Sequence, residues 1–424
     1  MNRRFIVFIT ALFTATCGVF AQQTAESPYS YYGVGERNFG GIAEESAMGG
    51  MTVYADSTRV NMTNPATLSG LKYTAFGAGY TLQRKNIVTN ATSFNAKASG
   101  FDYLALGLPI AKGFGLSLGL QPYSTVGYKL KNSSASKVNQ FEGSGNVNRF
   151  FLSAGFRIFE GLNVGASFRY HFGAIEMTDL EQQSGIQFYT QEASKSTLKG
   201  ASVNFGLYLE QTLRHRLRLY SSLVFTPESK LSSENERTIS TLGYASSRSG
   251  SPVLTVRDSQ KKDLAALGLE KTKLVIPTEV AFGLGIGEHQ QWFLGAQYTY
   301  ANTKDFSNPF LTTNGVTYNN GYRLSIGGFW VPNYNSISSY WSRVTYRIGL
   351  RYEDTGIVLN GEKINDFGTS FGVSLPVKGF SNVTAVFEYG SKGTKAGNLV
   401  KENYYNLKIG FTLNDKWFQR TKYQ

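Results

Sequence analysis

The 424-residue chain has one cysteine and three histidines. That excludes a disulfide scaffold and a Cys/His metal framework. Proline is scarce at 10 residues, which excludes collagen-like and Pro-rich disordered classes. Charged residues make up only 17%, against about 25% for an ordinary soluble domain. No apolar run is long enough for a membrane-spanning helix, and the mean hydropathy is −0.22. Glycine, by contrast, counts 46, aromatics are 14%, and Tyr and Phe reach 26 and 30. Abundant glycine and aromatics with weak net hydropathy describe alternating strands, apolar on one face and small or polar on the other.

The N-terminus reads as a targeting segment. Arg3 and Arg4 precede a short apolar stretch from Phe5 to Phe13. Val19-Phe20-Ala21 fits a signal-peptidase site, so residues 1–21 read as a Sec signal peptide cleaved after Ala21. The alternative is a lipoprotein acylated at Cys17, but Thr14 and Thr16 fit such a site poorly. Cleavage after Ala21 removes the sole cysteine, and with it any thiol chemistry. It also places the chain outside the cytoplasm, so the net charge of +13 does not point to nucleic acid.

Residues 22–70 are Gly-rich and lack sustained periodicity, with doublets at Gly40-Gly41 and Gly49-Gly50. From residue 71 to 414 the pattern has period 2. It predicts fourteen strands, near 71–84, 99–111, 113–127, 148–159, 161–176, 198–211, 214–227, 277–287, 290–303, 320–331, 340–354, 366–376, 382–391 and 403–414. Short links at 111–113, 159–161, 211–214, 287–290 and 377–381 alternate with long polar ones at 85–98, 128–147, 177–197, 228–276 and 302–319. The link at 332–339 falls on the short side yet is longer than its peers. This alternation predicts an all-β fold, a 14-stranded antiparallel transmembrane barrel with tight periplasmic turns and longer external loops. The expected location is the outer membrane of a Gram-negative bacterium. An even strand count predicts both chain ends on the periplasmic side, with residues 415–424 as a periplasmic tail. A soluble sandwich would need polar outer faces, whereas Val383, Ala385, Phe387 and Tyr389 share one face and Tyr405, Leu407, Ile409, Phe411 and Leu413 another.

The opposite face is small, with Gly115, Gly155, Gly165, Gly206, Gly349, Gly372 and Gly410 among its members by parity. A lumen of this size must hold water or a plug, and residues 22–70 have the length for a plug. Arg343, Arg347 and Arg351 lie four apart on the eleventh strand, so all three are expected inside, with Arg169, Arg157, Arg218, Arg323 and Lys408. Two readings stand: a basic lumen that attracts an anion, or arginines that pair with plug acids such as Glu44, Glu45 and Asp56. External lysines, including Lys129, Lys131, Lys137, Lys195, Lys261, Lys262, Lys392 and Lys395, would meet lipopolysaccharide headgroups or solvent.

Little points to catalysis. His171, His215 and His289 are dispersed. Gly115-Leu116-Ser117-Leu118-Gly119 matches a nucleophile-elbow pattern, which has meaning only at a strand-to-helix turn. Here it lies in mid-strand. No phosphate-binding or dinucleotide fingerprint occurs. The chain reads as a non-enzyme without cofactor or metal.

The stretch from Asp56-Ser57 through Asn64-Pro65-Ala66 to Leu68 and Gly70, just ahead of the first strand, resembles the plug-to-barrel junction of the FadL/TodX family of outer-membrane channels for hydrophobic compounds. The resemblance covers essentially the whole chain after the signal segment. Ser27-Pro28-Tyr29-Ser30 and Leu413-Asn414-Asp415-Lys416-Trp417-Phe418 resemble the ends of such proteins from Bacteroidota. It implies passive uptake of fatty acids or aromatic hydrocarbons, gated by the plug at Asn64, Pro65 and Ala66. It also implies lateral release at a kink in the third strand, where Gln121, Pro122 and Tyr123 stand; Pro122 is equally a residue of the outer rim. Some FadL-like barrels of that phylum are instead structural subunits of outer-membrane assembly or secretion complexes. The resemblance leaves that alternative open, with residues 332–339 and the C-terminal tail as its docking candidates.

Overall fold

The computed structural model describes residues 27–214, 216–246, 252–311, 315–377 and 381–416. The signal segment, His215 and the tail beyond Lys416 lie outside the described residues. Fourteen staves form one closed antiparallel barrel. They are β1 (Thr74–Val88), β2 (Ser93–Ala111), β3 (Phe114–Ser133), β4 (Lys137–Phe159), β5 (Leu162–Gln183) and β6 (Tyr189–Arg214). Stave β7 is Leu217–Thr226, continued past Pro227 by Ser229–Ser246. Stave β8 descends in three pieces, Pro252–Lys261, Lys271–Ile276 and Glu279–Glu288. The last six are β9 (Trp292–Ala301), β10 (Gly321–Trp330), β11 (Thr345–Leu359), β12 (Glu362–Pro376), β13 (Asn382–Gly393) and β14 (Lys401–Asp415). β14 pairs with β1 from Lys401↔Val88 to Asp415↔Thr74 and closes the wall.

Large apolar side chains point outward all round it. Phe150, Leu152 and Phe156 on β4, Leu294 on β9, Ile348 on β11 and Phe411 on β14 are all exposed. A continuous belt of this kind cannot face water. A closed barrel satisfies its backbone internally, so the belt meets lipid.

The long external links are mostly strand. Only residues 89–92 lie between β1 and β2, 134–136 between β3 and β4, and 184–188 between β5 and β6. β4 and β6 reach 23 and 26 residues, against about 10 needed to cross the membrane. Above the membrane the outward face of a strand meets water, while inward side chains such as Tyr128, Val147 and Leu231 stay buried. The apolar alternation therefore stops while backbone pairing continues, which is why sequence periodicity ended these strands early. The tall rim is the outer one and the rim of tight turns the periplasmic one. The exception among the tight turns is residues 331–344, which include a 3₁₀ turn at Trp341–Arg343.

The segment before β1 lies inside the barrel. Ser27 sits in its outer half, donating from its N to Gly127 O at 2.7 Å and from its Oγ to Glu402 Oε1 at 2.6 Å. From there the chain runs toward the short rim. Glu36 and Arg37 pair with Thr125 and Ser124 of β3, helix α1 (Ala43–Ser46) follows, and a 3₁₀ helix at Pro65–Gly70 leads into β1. The expectation that both chain ends lie on the periplasmic side concerns termini outside the described residues; within them, β1 begins and β14 ends at the short rim. Strand parity fixes where β1 begins, and says nothing about a leader that threads the lumen.

Candidate functional site

The inner glycines are the seat of the plug. A Cβ on Gly165 would lie 2.5 Å from both Ala66 N and Pro65 C. One on Gly206 would overlap Asn64 Oδ1, one on Gly115 Leu68 O, and one on Gly349 Gly49 N. These are mostly backbone atoms, so no side-chain adjustment would make room. The small face leaves no open lumen here, because the plug occupies it in direct contact.

Asn64, Pro65 and Ala66 lie against three of these glycines, Gly155, Gly165 and Gly206. Asn64 caps the 3₁₀ helix, accepting from Ala66 N at 3.1 Å, and Pro65 needs no donor at the first helical position. Asn64 Nδ2 donates to Leu207 O of β6 at 3.1 Å. Further anchors are spread around the wall. Thr52 N donates to Gln297 Oε1 at 2.9 Å, Ser69 Oγ to Asn163 Oδ1 at 2.7 Å, and Ser325 Oγ to Gly49 O at 2.8 Å. Apolar plug residues Met51, Val53, Met62 and Leu68 are fully buried. They pack on inward aromatics that strand alternation did not reveal, among them Tyr103, Phe151, Tyr220 and Phe293.

Many inner charges are paired, though mostly not with the partners expected. Plug acids Glu44 and Asp56 bind the plug's own Arg59, at 3.3 and 2.8 Å. Barrel arginines bind barrel acids: Arg323 to Glu353 at 2.8 Å, and Arg351 to Asp366 and Glu388 at 3.1 Å each. Lys408 stands 3.6 Å from Glu388. The plug joins this network through Arg37, 2.6 Å from Glu279, and through Glu36, at 2.6 Å from Lys85 and 3.1 Å from Lys392. Burial acts to raise the Glu36 carboxyl pKa, but the Lys392 and Lys85 ammoniums outweigh it and hold that pKa well below the usual carboxylate range. Glu45 accepts from Ile42 N at 3.0 Å. Burial, with the Glu44 charge beside it, pushes its pKa up to about 8.

Four of the five arginines and lysines proposed as lumen contacts do face inward. Arg347 is buried and its guanidinium meets Ser374 Oγ. Arg351 and Lys408 are in the ion network above. Arg169 is buried, with no ion pair among the described residues. Arg343 is different: it lies in the exposed 3₁₀ turn before β11, over the Tyr340 ring at 5.6 Å. Its four-residue spacing from Arg347 implies a shared face only within an unbroken strand, and β11 starts at Thr345.

Gln121, Pro122 and Tyr123 stand at an opening in the wall. β2 and β3 are paired only between Leu104–Ala111 and Phe114–Leu120; above that no pairing joins them. The register between β3 and β4 slips between Pro122 and Ser124, where proline offers no N–H. The plug bridges this seam from inside: Asn38 N donates to Tyr123 O at 3.0 Å, beside the Glu36–Arg37 pairing. Gln121, with its amide oriented to satisfy both neighbours, accepts from Arg149 Nη2 at 2.6 Å and donates to Gly40 O at 3.0 Å. A cavity of about 310 Å³ lies above the plug. Phe101 and Asp102 line it on one side of the seam and Pro122 and Thr125 on the other, with Arg37, Glu353, Arg351 and Lys392 around the rest. Phe39, Ile42, Phe306 and Ile357 also line it, so the chamber has a mixed lining of apolar side chains and ion-paired charges.

Ser117 faces Gly107 and Ser153 in the ladder, whereas His171 lies farther along β5 with its Nε2 2.9 Å from Ser202 Oγ. The two do not form a nucleophile and base. On the tall rim, Lys129, Lys137, Lys195 and Lys261 pair with Glu142, Glu181, Glu176 and Glu236 at 2.5 to 2.9 Å, and Lys392 points inward to Glu36. The external surface thus carries several neutralised cross-strand pairs, with Lys131, Lys262 and Lys395 outside them.

A family model described as BamG matches residues 1–424. No curated protein matches the chain significantly. Among solved structures, the CymD monoaromatic hydrocarbon channel is similar at TM-score 0.56 and 15% identity, over 91% of this chain and all of that one. The Pseudomonas putida toluene transporter TodX gives 0.55 and 14%, over 90% and 98%. A Pseudomonas aeruginosa FadL homologue gives 0.54 and 12%, over 90% and 98%. These likenesses show a shared fold.

Proposed function

The chain belongs to the BamG family, and from that membership and the filled lumen we propose that it is a structural subunit of an outer-membrane protein assembly complex, built on a FadL-like barrel. The family's name points to such a complex. The observation that carries the proposal is the plug in its glycine seat. Opening a path would break hydrogen bonds to β3, β5, β6, β9, β10 and β14, each worth about 0.5–1.5 kcal/mol, as well as the Glu36 and Arg37 ion pairs. The chamber that remains has a mixed apolar and charged lining, so the seated plug, rather than the chamber's polarity, supports the scaffold reading. No covalent chemistry and no cofactor enter this role.

A second reading is passive uptake of hydrophobic compounds with plug gating and lateral release. The seam above Leu104 and Leu120, with Pro122 at its edge, favours it. Lipopolysaccharide contact is a proposal for Lys131, Lys262 and Lys395, external lysines outside the pairs above. Depletion of the chain separates the two functions. A scaffold predicts a fall in other outer-membrane barrels with hydrophobic uptake unchanged. Lost uptake with normal barrel levels would refute the scaffold.

A further inference from the structure

The periplasmic rim carries one projecting element. Its other turns hold two to five residues, as at 112–113, 160–161, 289–291 and 377–381, whereas the 14 residues 331–344 form a loop between β10 and β11. The loop is braced. Asn333 N donates to Ser342 O at 2.8 Å, Ser339 N to Ser336 Oγ at 3.1 Å, and Tyr340 OH to Pro376 O at 3.1 Å. Yet its large side chains point away from the protein: Ile337 is 99% exposed and Trp341 67%. Holding such side chains out on an ordered loop has no folding benefit, because burying them would be favourable.

The surrounding rim is basic. Lys72, Lys112, Arg157, Arg214, Arg216 and Lys416 are exposed along the rest of the rim, and Arg343 is exposed on the loop itself. Of these seven, only Arg216 reaches a carboxylate among the described residues, Glu288 at 3.5 Å. The outer rim also carries cations outside ion pairs, among them Lys131, Lys262 and Lys395, so what sets the periplasmic rim apart is the projecting apolar loop with cations on the same rim. Lys72 belongs to the end of the plug, with its N on Ser57 O at 2.9 Å, so it lies at the lumen mouth, out of reach of lipids that encircle the barrel.

We propose that this rim is a docking face for a folded periplasmic protein. Its partner offers an apolar socket to Ile337 and Trp341, bordered by Asp and Glu side chains that meet the basic rim. Tyr, Trp and Arg are the residue types that dominate such anchors, and opposed charge steers and orients the encounter. The inference rests on the subunit role proposed above and identifies the surface that role uses.

The test uses the full chain at native expression in its own cells. A photo-crosslinking benzoylphenylalanine is placed at position 337 or, as a control, at Lys131 on the outer rim. The proposal expects one discrete protein adduct from 337 and none from 131, with the adduct mapping to a partner segment flanked by acidic residues. The pair Ile337→Asp with Trp341→Ser should lower the co-purified partner roughly tenfold or more. The pair Lys112→Glu with Arg216→Glu should make the remaining binding weaker and less salt-sensitive. Heat-modifiable migration shows that each variant still folds. A lipid adduct at 337, or a partner retained undiminished by the Ile337/Trp341 variant, overturns this surface while leaving the subunit role standing. Absence of any stoichiometric partner from the unaltered chain overturns the role itself.

Discussion

Replacing Gly165 is the sharpest way to ask whether the glycine seat holds the plug. The Cβ of any other residue there would lie 2.5 Å from Ala66 N and Pro65 C and 2.7 Å from Pro65 O. All three are backbone atoms of a capped 3₁₀ turn, so either the turn or the β5 backbone must shift. Overpacking of this kind costs about 1–3 kcal/mol. At about 1.4 kcal/mol per factor of ten, the unseated population rises roughly 5- to 150-fold. Thr67→Cys provides the reporter, since Thr67 is 5% exposed and Cys17 is the only native cysteine. The rate of maleimide labelling in outer-membrane preparations reads plug opening. Gly165→Leu should speed labelling within that range, and Gly165→Ala should fall between it and the unaltered seat. Gly100→Ala is the control, because its Cβ would meet nothing within 4 Å, and it should label as the parent does. If Gly165→Leu folds normally and labels at the parent rate, the seat does not retain the plug and the reasoning fails.

Arg351→Met leaves Asp366 and Glu388 without their shared guanidinium. Breaking a buried pair on one side costs about 3–5 kcal/mol, which should appear as a lower unfolding temperature in detergent, partly restored by Arg351→Lys. Asn64→Ala loses the cap and the Leu207 bond. The cap alone is worth about 1 kcal/mol, so the Thr67→Cys reporter should label faster, by less than with Gly165→Leu. Glu45 gives a pH signature. Burial pushes its seated carboxyl up to about 8 from an ordinary value of 4.5, so the seated form binds the proton more tightly. Seating is then strongest below about pH 4.5 and weakens as pH rises through 8. Labelling should accelerate over that window, and Glu45→Gln should flatten the dependence.

Strand count, barrel closure and the junction at Asn64-Pro65-Ala66 were legible because each rests on local pattern: period-2 alternation, tight turns and a proline after a capping residue. Membrane-level alternation could not reveal the outer halves of β3 to β6, where the outward face turns polar while Tyr128, Val147 and Ile175 pack inside. Nor could parity show that Tyr103, Phe151 and Phe293 turn inward, since an aromatic on the small face looks like an exception until a plug residue is found against it. The glycines were visible, but their purpose was not. They were counted as space, and the structure fills that space with backbone. Arg343 shows the same limit: four-residue spacing from Arg347 places it inside only while the strand continues, and β11 begins two residues later. The ion partners of Arg323 and Arg351 were hidden for a different reason. Glu353 and Asp366 are neighbours through strand pairing, which no spacing along the chain records.

The central claim is that this barrel works by being held in an assembly. The most direct measurement is the mass and composition of the particle that contains it, purified from native membranes under mild detergent at endogenous expression. The account predicts a larger complex with at least one protein at a fixed stoichiometry to the barrel and no hydrophobic small molecule in the lumen. A lone barrel with an apolar ligand bound above the plug would contradict it.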